Sequence, residues 1–531
     1  MKKKTTSQSA FFNPRSLFGF ALCCIGLTLA IFALGGFSVA SEPANPSAPA
    51  SAAAPQISIG VKPVLTGSLR DMPVIPPSMA PGHHNVEPVI PPGPTEGAGV
   101  DTARQTTLGP IHSAPTPTGV SWDAVGVGLG GFAPGSNPPD VNGRVGATQY
   151  MQWNNTSFAV FNKNTGALLY GPAAGNTLFQ SLGGVCASHN DGDPVVSYDI
   201  LSDRWVVSQF VVNGGAGSFS HQCFAVSQTG DATGAWYLYD FVTDTANFID
   251  YPHTGVWPDG YYMSAHVFNP TGTAFLFARV YVFERDKMIL GQAARMQSSN
   301  LTGSQFGFLP GDLDSLTPPP VGEAAFVLGP NPTNRALTSS TRVAVTWGAV
   351  PTITLTESTV ANTTTVNANC LGGGRACVPQ SGQANSAGLD NISNHFMYRL
   401  AYRNNGTQAS PQESLMTNIV VRGSTAHNAI RWYEFRNAGN STATPTVFQQ
   451  STFDPDIDYR WLGSMAMDKD GNIALGYSKS SATTFPSIWI TGRLAADAAN
   501  TMGAEVLVQA GAGSQDATGG NRWGDYSSMT L

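Results

Sequence analysis

Charge is what this sequence has least of. Lys, Arg, Asp and Glu make up 11% of its 531 residues, against about 25% in an average soluble chain. After the opening MKKK there is no Lys/Arg run, and the net charge is −7. Nucleic-acid binding is therefore left without electrostatic support. Helix-spaced runs of Leu, Lys and Glu are scarce, which argues against a helical bundle. There is no Gly-x-Ser-x-Gly elbow, no His-Glu-x-x-His pair and no phosphate-cradling Gly-rich loop. These absences speak against a common serine hydrolase, a zinc peptidase and an NTPase. Cysteine is scarce too, with six in all.

What is present begins with an address. MKKK supplies positive charge, Leu17 to Val39 is apolar, and Ser38-Val39-Ala40 offers small residues ahead of Ser41. Residues 1–40 read as a secretory signal peptide; an uncleaved anchor is the rival reading. Cys23 and Cys24 fall inside it. The exported chain keeps Cys186, Cys223, Cys370 and Cys377, an even number with three connectivities. Proximity in sequence favours Cys186–Cys223 and Cys370–Cys377; a zinc site lacks the right spacing and a neighbouring His pair. Residues 41–118, rich in Pro, Ala and Ser, read as a disordered linker unable to bury its own core.

From residue 119 to 531 the texture is that of strands. SFAVFNKNTGALLYG is a hairpin around Asn164-Thr165-Gly166. Runs such as PVVSYD, RWVVSQFVV, GYYMSAHVF, FMYRLAYRN and SIWITGRL have strand length and are dominated by β-branched and aromatic residues. Only the stretch near Arg285–Gln297 looks helical. Similar strand starts recur at Asp140, Asp193, Asp259, Asp314, His395, Trp461 and Trp523, mostly about 50 to 70 residues apart, the size of a four-stranded blade. The expected fold is all-β, a seven-bladed β-propeller; a pair of β-sandwiches is the alternative. SSMTL at the C-terminus matches only the start of such a blade, so the last blade reads as incomplete.

PPDVNGRVGATQYMQWNNTSFAVFNKNTG, DGDPVVSYDILSDRWVVSQF, HQCFAVSQTGDATGAWYLYDF, YPHTGVWPDGYYMS, MYRLAYRN and NRWGDYSSM resemble a group of exported bacterial β-propeller proteins, largely uncharacterised. The resemblance runs from about Gly119 to Leu531. It implies the fold and export and carries over no activity. A further likeness to sialidase-type propellers is an analogy of fold alone.

In a propeller the strand starts meet at a central funnel. Asp193, Asp259 and His395 are there the candidates for acid–base chemistry. Asp140, Trp257, Arg460, Trp461, Arg522, Trp523 and Asp525 are the candidates for holding a substrate. Paired carboxyls cleave a glycosidic bond when one keeps its proton and the other is ionised; a His with Tyr or Arg would serve a lyase instead. Each acid also has a plain reading as a turn residue, and each Trp as packing between blades. Asp191 and Asp193, in Asp-Gly-Asp, offer oxygen ligands for calcium without the full calcium-loop pattern; no other cofactor is implied. The expected function is an exported, secreted, periplasmic or surface-held propeller that binds, and cleaves, an extracellular polysaccharide. The competing expectation is a non-catalytic adhesion or matrix module with a surface protein as partner. Neither involves nucleic acid, or a membrane once the signal is removed.

Overall fold

The computed structural model describes residues 55–77, 91, 101–110, 121–132, 137–212, 219–362, 375–383, 388–437, 443–515 and 521–531. Within them, β-branched and aromatic runs form strands, and tight turns bring each strand back beside its predecessor. At the first hairpin the Asn162 Oδ1 accepts the N–H groups of Asn164 (2.9 Å) and Thr165 (3.2 Å), and Gly166 supplies the φ of 70° that closes the turn. Six antiparallel meanders of four strands result, at 142–174, 195–244, 248–300, 309–361, 397–453 and 459–509, called here sheets 1 to 6. Helix is confined to a few short turns such as Gly184–Ser188 and Arg285–Met288. The helix expected near Arg285–Gln297 stops after one turn, and Met296–Asn300 pairs as the outer strand of sheet 3.

The sheets have a propeller-like arrangement, and the connections between their innermost strands trace it. Those strands are Asn142–Val145, Val195–Asp199, Phe248–Trp257, Leu309–Leu313, Met397–Asn404 and Tyr459–Met467. Asn142 joins sheets 1 and 2, donating to the Pro194 carbonyl and accepting the Val196 N–H, both at 2.8 Å. Ser197 meets Thr254 at 3.3 Å, and Asp312 accepts the Val256 N–H at 3.1 Å. Gly311–Leu313 pairs in parallel with Leu400–Tyr402, and Ser464 donates to the Tyr398 carbonyl at 2.8 Å. The circuit closes through the C-terminal segment: Met529 N–H donates to Ser464 Oγ (2.8 Å), while Ser528 Oγ exchanges bonds with the Gly143 N–H (2.9 Å) and carbonyl (3.0 Å).

Large side chains fill the wedges between sheets. Trp153, Trp205, Trp236, Trp257, Trp432 and Trp461 are all fully buried. The Cys186–Cys223 disulfide ties the helix Gly184–Ser188 to strand Ser220–Ser227 of sheet 2. Cys377 is also disulfide-bonded; Cys370 lies outside the described residues, as does the signal peptide.

The stretch read from its composition as a disordered linker is laid along the sheets wherever it is described. Gln56–Ile57 adds a fifth strand to sheet 3, Val64–Leu65 adds one to sheet 2, and Arg104–Gln105 pairs in parallel with the outer strand of sheet 5. The Ile75 carbonyl accepts the Ala174 N–H of sheet 1, and Gly109 N–H donates to the Met502 carbonyl of sheet 6. Composition gave no warning because backbone groups, available to any residue but proline, make most of these bonds.

Candidate functional site

Two polar regions lie on the axis. The first sits where innermost strands begin. Chain entering these strands must turn sharply, and Asp140 and Asp193 do so with φ of 45° and 44°. Asp tolerates this left-handed region better than most residues. At the equivalent point of sheet 3 the turn falls on Tyr251 (φ 56°), so that Asp250 stands beside it.

Asp140, Asp193 and Asp250 form a group of three carboxyls around Arg522. Burial pushes the Asp140 carboxyl up to about 7, against the pull of Arg522. Asp250 is pushed up to about 6, again by burial against Arg522. Asp193 is raised furthest, by burial and then by the charges of Asp250 and Asp140. The hydrogen bonds sort them further. Asp140 accepts from Asn155 Nδ2 (2.6 Å) and from the Asp525 N–H (3.0 Å), both of which favour its ionised form. Asp193 receives one backbone donor, Tyr251 N–H at 3.2 Å. Asp193 is therefore the member whose proton is held most firmly. Asp250 is the most open of the three, being half-buried where Asp140 and Asp193 are buried.

Beneath the acids lies a layer of rings. Tyr251 packs on His253 (centroids 4.1 Å), His395 (4.6 Å) and, in parallel, His266 (5.5 Å). His253 in turn meets Tyr526 at 4.6 Å and Tyr398 at 5.0 Å. Burial drives His253 and His395 down to about 3, and His266 further still, so all three are neutral. His266 Nε2 accepts the Gly307 N–H at 2.9 Å, which places its proton on Nδ1. His253 Nδ1 donates to the Tyr251 carbonyl at 3.2 Å, leaving a buried Nε2 without a partner among the described residues. The hydroxyls of Tyr251 and Tyr526 donate to the carbonyls of Asp525 (3.3 Å) and Pro194 (3.0 Å), so neither stands free as a base.

The residues singled out in the sequence divide accordingly. Asp140, Asp193, Arg522 and Asp525 come together, with Arg522 ion-paired to Asp525, and His395 joins through Tyr251. Asp259 does not: it lies at the opposite end of strand Phe248–Trp257, in the turn to the next strand, accepting from the Tyr262 hydroxyl at 2.9 Å. Its sheet presents Asp250 to the acids instead. The Asp-Gly of the turn marks the other end of the strand, where burial pushes the Asp259 carboxyl up to about 6; Asp250, at the head of DYPHTGVW, stands in the place of Asp140 and Asp193. Asp314 follows the end of strand Leu309–Leu313, also at the far side. Trp257 is buried between sheets, donating to the Glu323 carbonyl (2.9 Å) with its ring against Tyr402. Arg460 is buried within sheet 6 in ion pairs with Asp456 and Glu505, both at 2.8 Å. Trp461 is buried, and Trp523 packs beside it, donating to Ser478 Oγ at 3.0 Å. These side chains are engaged in packing, hydrogen bonds and ion pairs.

Asp191 accepts the Val212 N–H (2.9 Å) and faces His189 at 3.3 Å. The group of three metal-ligating side chains found among the described residues is Cys186, Cys223 and Asp240, with both sulfurs already in the disulfide. Asp191 and Asp193 belong to no such group.

The second polar region crosses the middle of the axis. Arg399, fully buried, contacts Asp312 (2.6 Å) and Asp314 (2.5 Å) and donates to the Met529 carbonyl (2.8 Å). Arg144 meets the same two acids at 3.2 and 3.1 Å. Burial alone would raise the Asp314 carboxyl, but Arg399 and Arg144 hold it below its usual range. This network joins sheets 1, 4 and 5 and the C-terminal segment, and Asp312 adds sheet 3.

The acids carry a pH prediction. A carboxyl whose affinity for protons is raised by folding supports the fold below its unfolded value and loses that support as pH rises through its folded value. For Asp250 the window runs from the ordinary carboxylate range to about 6. Asp250→Asn removes the effect, so the stability of the variant relative to the parent, measured by denaturant unfolding, should grow across that window by about 1 kcal/mol after allowing for partial exposure. Taking the difference cancels the three histidines, whose depressed values act in the opposite direction. A pH-independent difference would show that Asp250 ionises freely.

No family model matches the chain, and no curated protein matches it. Four chains of solved structures do. One is the GH43 endo-arabinanase from Bacillus licheniformis, at 10% identity and a TM-score of 0.27, the match covering 56% of this chain and 92% of that one. The propeller-like reading rests on the circuit of bonds between innermost strands.

Proposed function

We propose that this is an exported, seven-bladed β-propeller that binds an extracellular polysaccharide and hydrolyses it at the axial acids. The observation that carries the reading is the trio Asp140, Asp193 and Asp250, brought together from three sheets, with burial raising all three carboxyls and Asp193 the most. Asp193 gives its proton to the glycosidic oxygen as the bond to the anomeric carbon breaks. Water adds to that carbon and passes a proton to Asp250, the open and ionised partner. Asp140, fixed by Asn155 and the Asp525 N–H, stands beside them as a positioning residue. The C-terminal segment bridges sheets 6 and 1 through Met529 and Ser528. The disulfide fits an oxidising compartment outside the cytosol.

A second reading is favoured by the burial of Asp140 and Asp193, at 1% and 7% exposure. In it the acids only organise the axis of a surface or matrix module. Incubating the full chain with plant, algal and bacterial polysaccharides and measuring reducing ends separates the two. Release of new reducing ends supports hydrolysis; binding on a glycan array without release, or no response to any polysaccharide, supports the second.

A further inference from the structure

At the opposite end of the axis, where the innermost strands finish, a cavity of about 750 Å³ opens. That lies within the range of small-molecule sites, about 300–1,000 Å³. Sheets 1, 2, 4, 5 and 6 all contribute to its wall.

The charges on this wall are not equally engaged. Its carboxylates are committed: Asp314 to Arg144 and Arg399, Asp203 to the Tyr198 hydroxyl, and Asp468 to the N–H groups of Asp470 and Asn472, both at 2.9 Å. Among the cations, Arg144 is held in the axial network and Lys469 pairs with Asp470 at 2.8 Å. Lys163 and Arg403 are different. Lys163 Nζ donates to the Gly146 carbonyl at 3.1 Å. Arg403 donates through Nε to Asn405 Oδ1 (2.7 Å) and through Nη1 to the Asp314 carbonyl (2.9 Å). Among the described residues neither has a carboxylate within ion-pair distance; burial presses the Arg403 guanidinium below its ordinary value, against the more distant charges of Asp314, Asp468 and Asp470. Ile200 and the exposed Leu316 add an apolar stretch to the same wall.

We infer that this cavity binds a small saccharide acid, a ligand the size of a uronate disaccharide. Its carboxylate is taken by Arg403 and Lys163, and a ring face lies on Ile200 and Leu316. A guanidinium suits a planar carboxylate because its N–H fork matches the two oxygens. The site is separate from the axial acids and stands whether or not they are catalytic.

The test is calorimetric titration of the full chain with digalacturonate, with maltose as the neutral probe. Digalacturonate should bind, more weakly as salt rises, and maltose should not. Arg403→Gln and Lys163→Gln should each weaken binding about tenfold, the loss of one charge-assisted contact. Both positions are partly exposed, and a thermal melt checks that each variant folds; Lys163 lies beside a surface hairpin and tests the idea alone if Arg403→Gln does not. Absence of digalacturonate binding, equal binding of maltose, or unchanged affinity in Lys163→Gln overturns the inference. So does binding that is lost in Asp193→Asn yet kept in the two cation variants, since that places the ligand at the acids.

Discussion

Arg399→Met should cost about 3–5 kcal/mol, the range for breaking one partner out of a buried ion pair. The side chain is fully buried and serves three oxygen acceptors on different parts of the chain. Met fills much of the volume, so the loss is electrostatic: Asp312 is left with Arg144, and Asp314 with Arg144 and the more distant charge of Arg403. Arg399→Lys keeps the charge but not the fork, and should fall between parent and Met variant. Denaturant unfolding with an unchanged slope would measure this directly. A cost under about 1 kcal/mol, as for an exposed pair, would mean that water reaches the network. Acid should weaken the clamp as well. Asp314 is held below its usual value, so its contribution is present above the unfolded carboxylate range and is lost as pH falls through its folded value.

Asp193→Asn should lower polysaccharide hydrolysis by about 10²–10⁴-fold, the range for removing a general acid. Asn is the informative replacement because position 193 has a φ of 44°, which Asn tolerates and Ala does not. An Ala variant would mix backbone strain with lost chemistry. The pH profile gives a second readout. In the parent, rate should rise as Asp250 ionises near 6 and fall where Asp193 releases its proton; in Asp250→Asn the low-pH limb should flatten. A folded Asp193→Asn protein with unchanged rate would remove Asp193 from the reaction.

Much of the fold could be read from strand-length runs and their spacing, because four strands and their turns need a nearly fixed length of chain. The Cys186–Cys223 disulfide was legible from the proximity of the two cysteines in the sequence. Asp140 and Asp193 were legible because an acid before a strand, next to Pro or Gly, marks a left-handed turn. Asp250 carried no such flag: Tyr251 takes the turn there. Asp259 did carry one, Asp-Gly, but it belongs to a hairpin at the other end of the same strand. Trp257, Arg460 and Trp461 were chosen for chemistry and are engaged in packing, since no single strand reveals which of its faces meets the neighbouring sheet. The Arg399 network left one trace, an Arg inside the apolar run MYRLAY, where a charge must find partners that the sequence does not name.

The N-terminal segment has a consequence beyond decoration. Gln56–Ile57 and Val64–Leu65 occupy the outermost hydrogen-bonding rims of sheets 3 and 2. Bare rims of this kind are templates on which copies of a protein stitch themselves together. Removing residues 55–77 would bare both rims, so this segment shields the sheets from edge-to-edge pairing between copies.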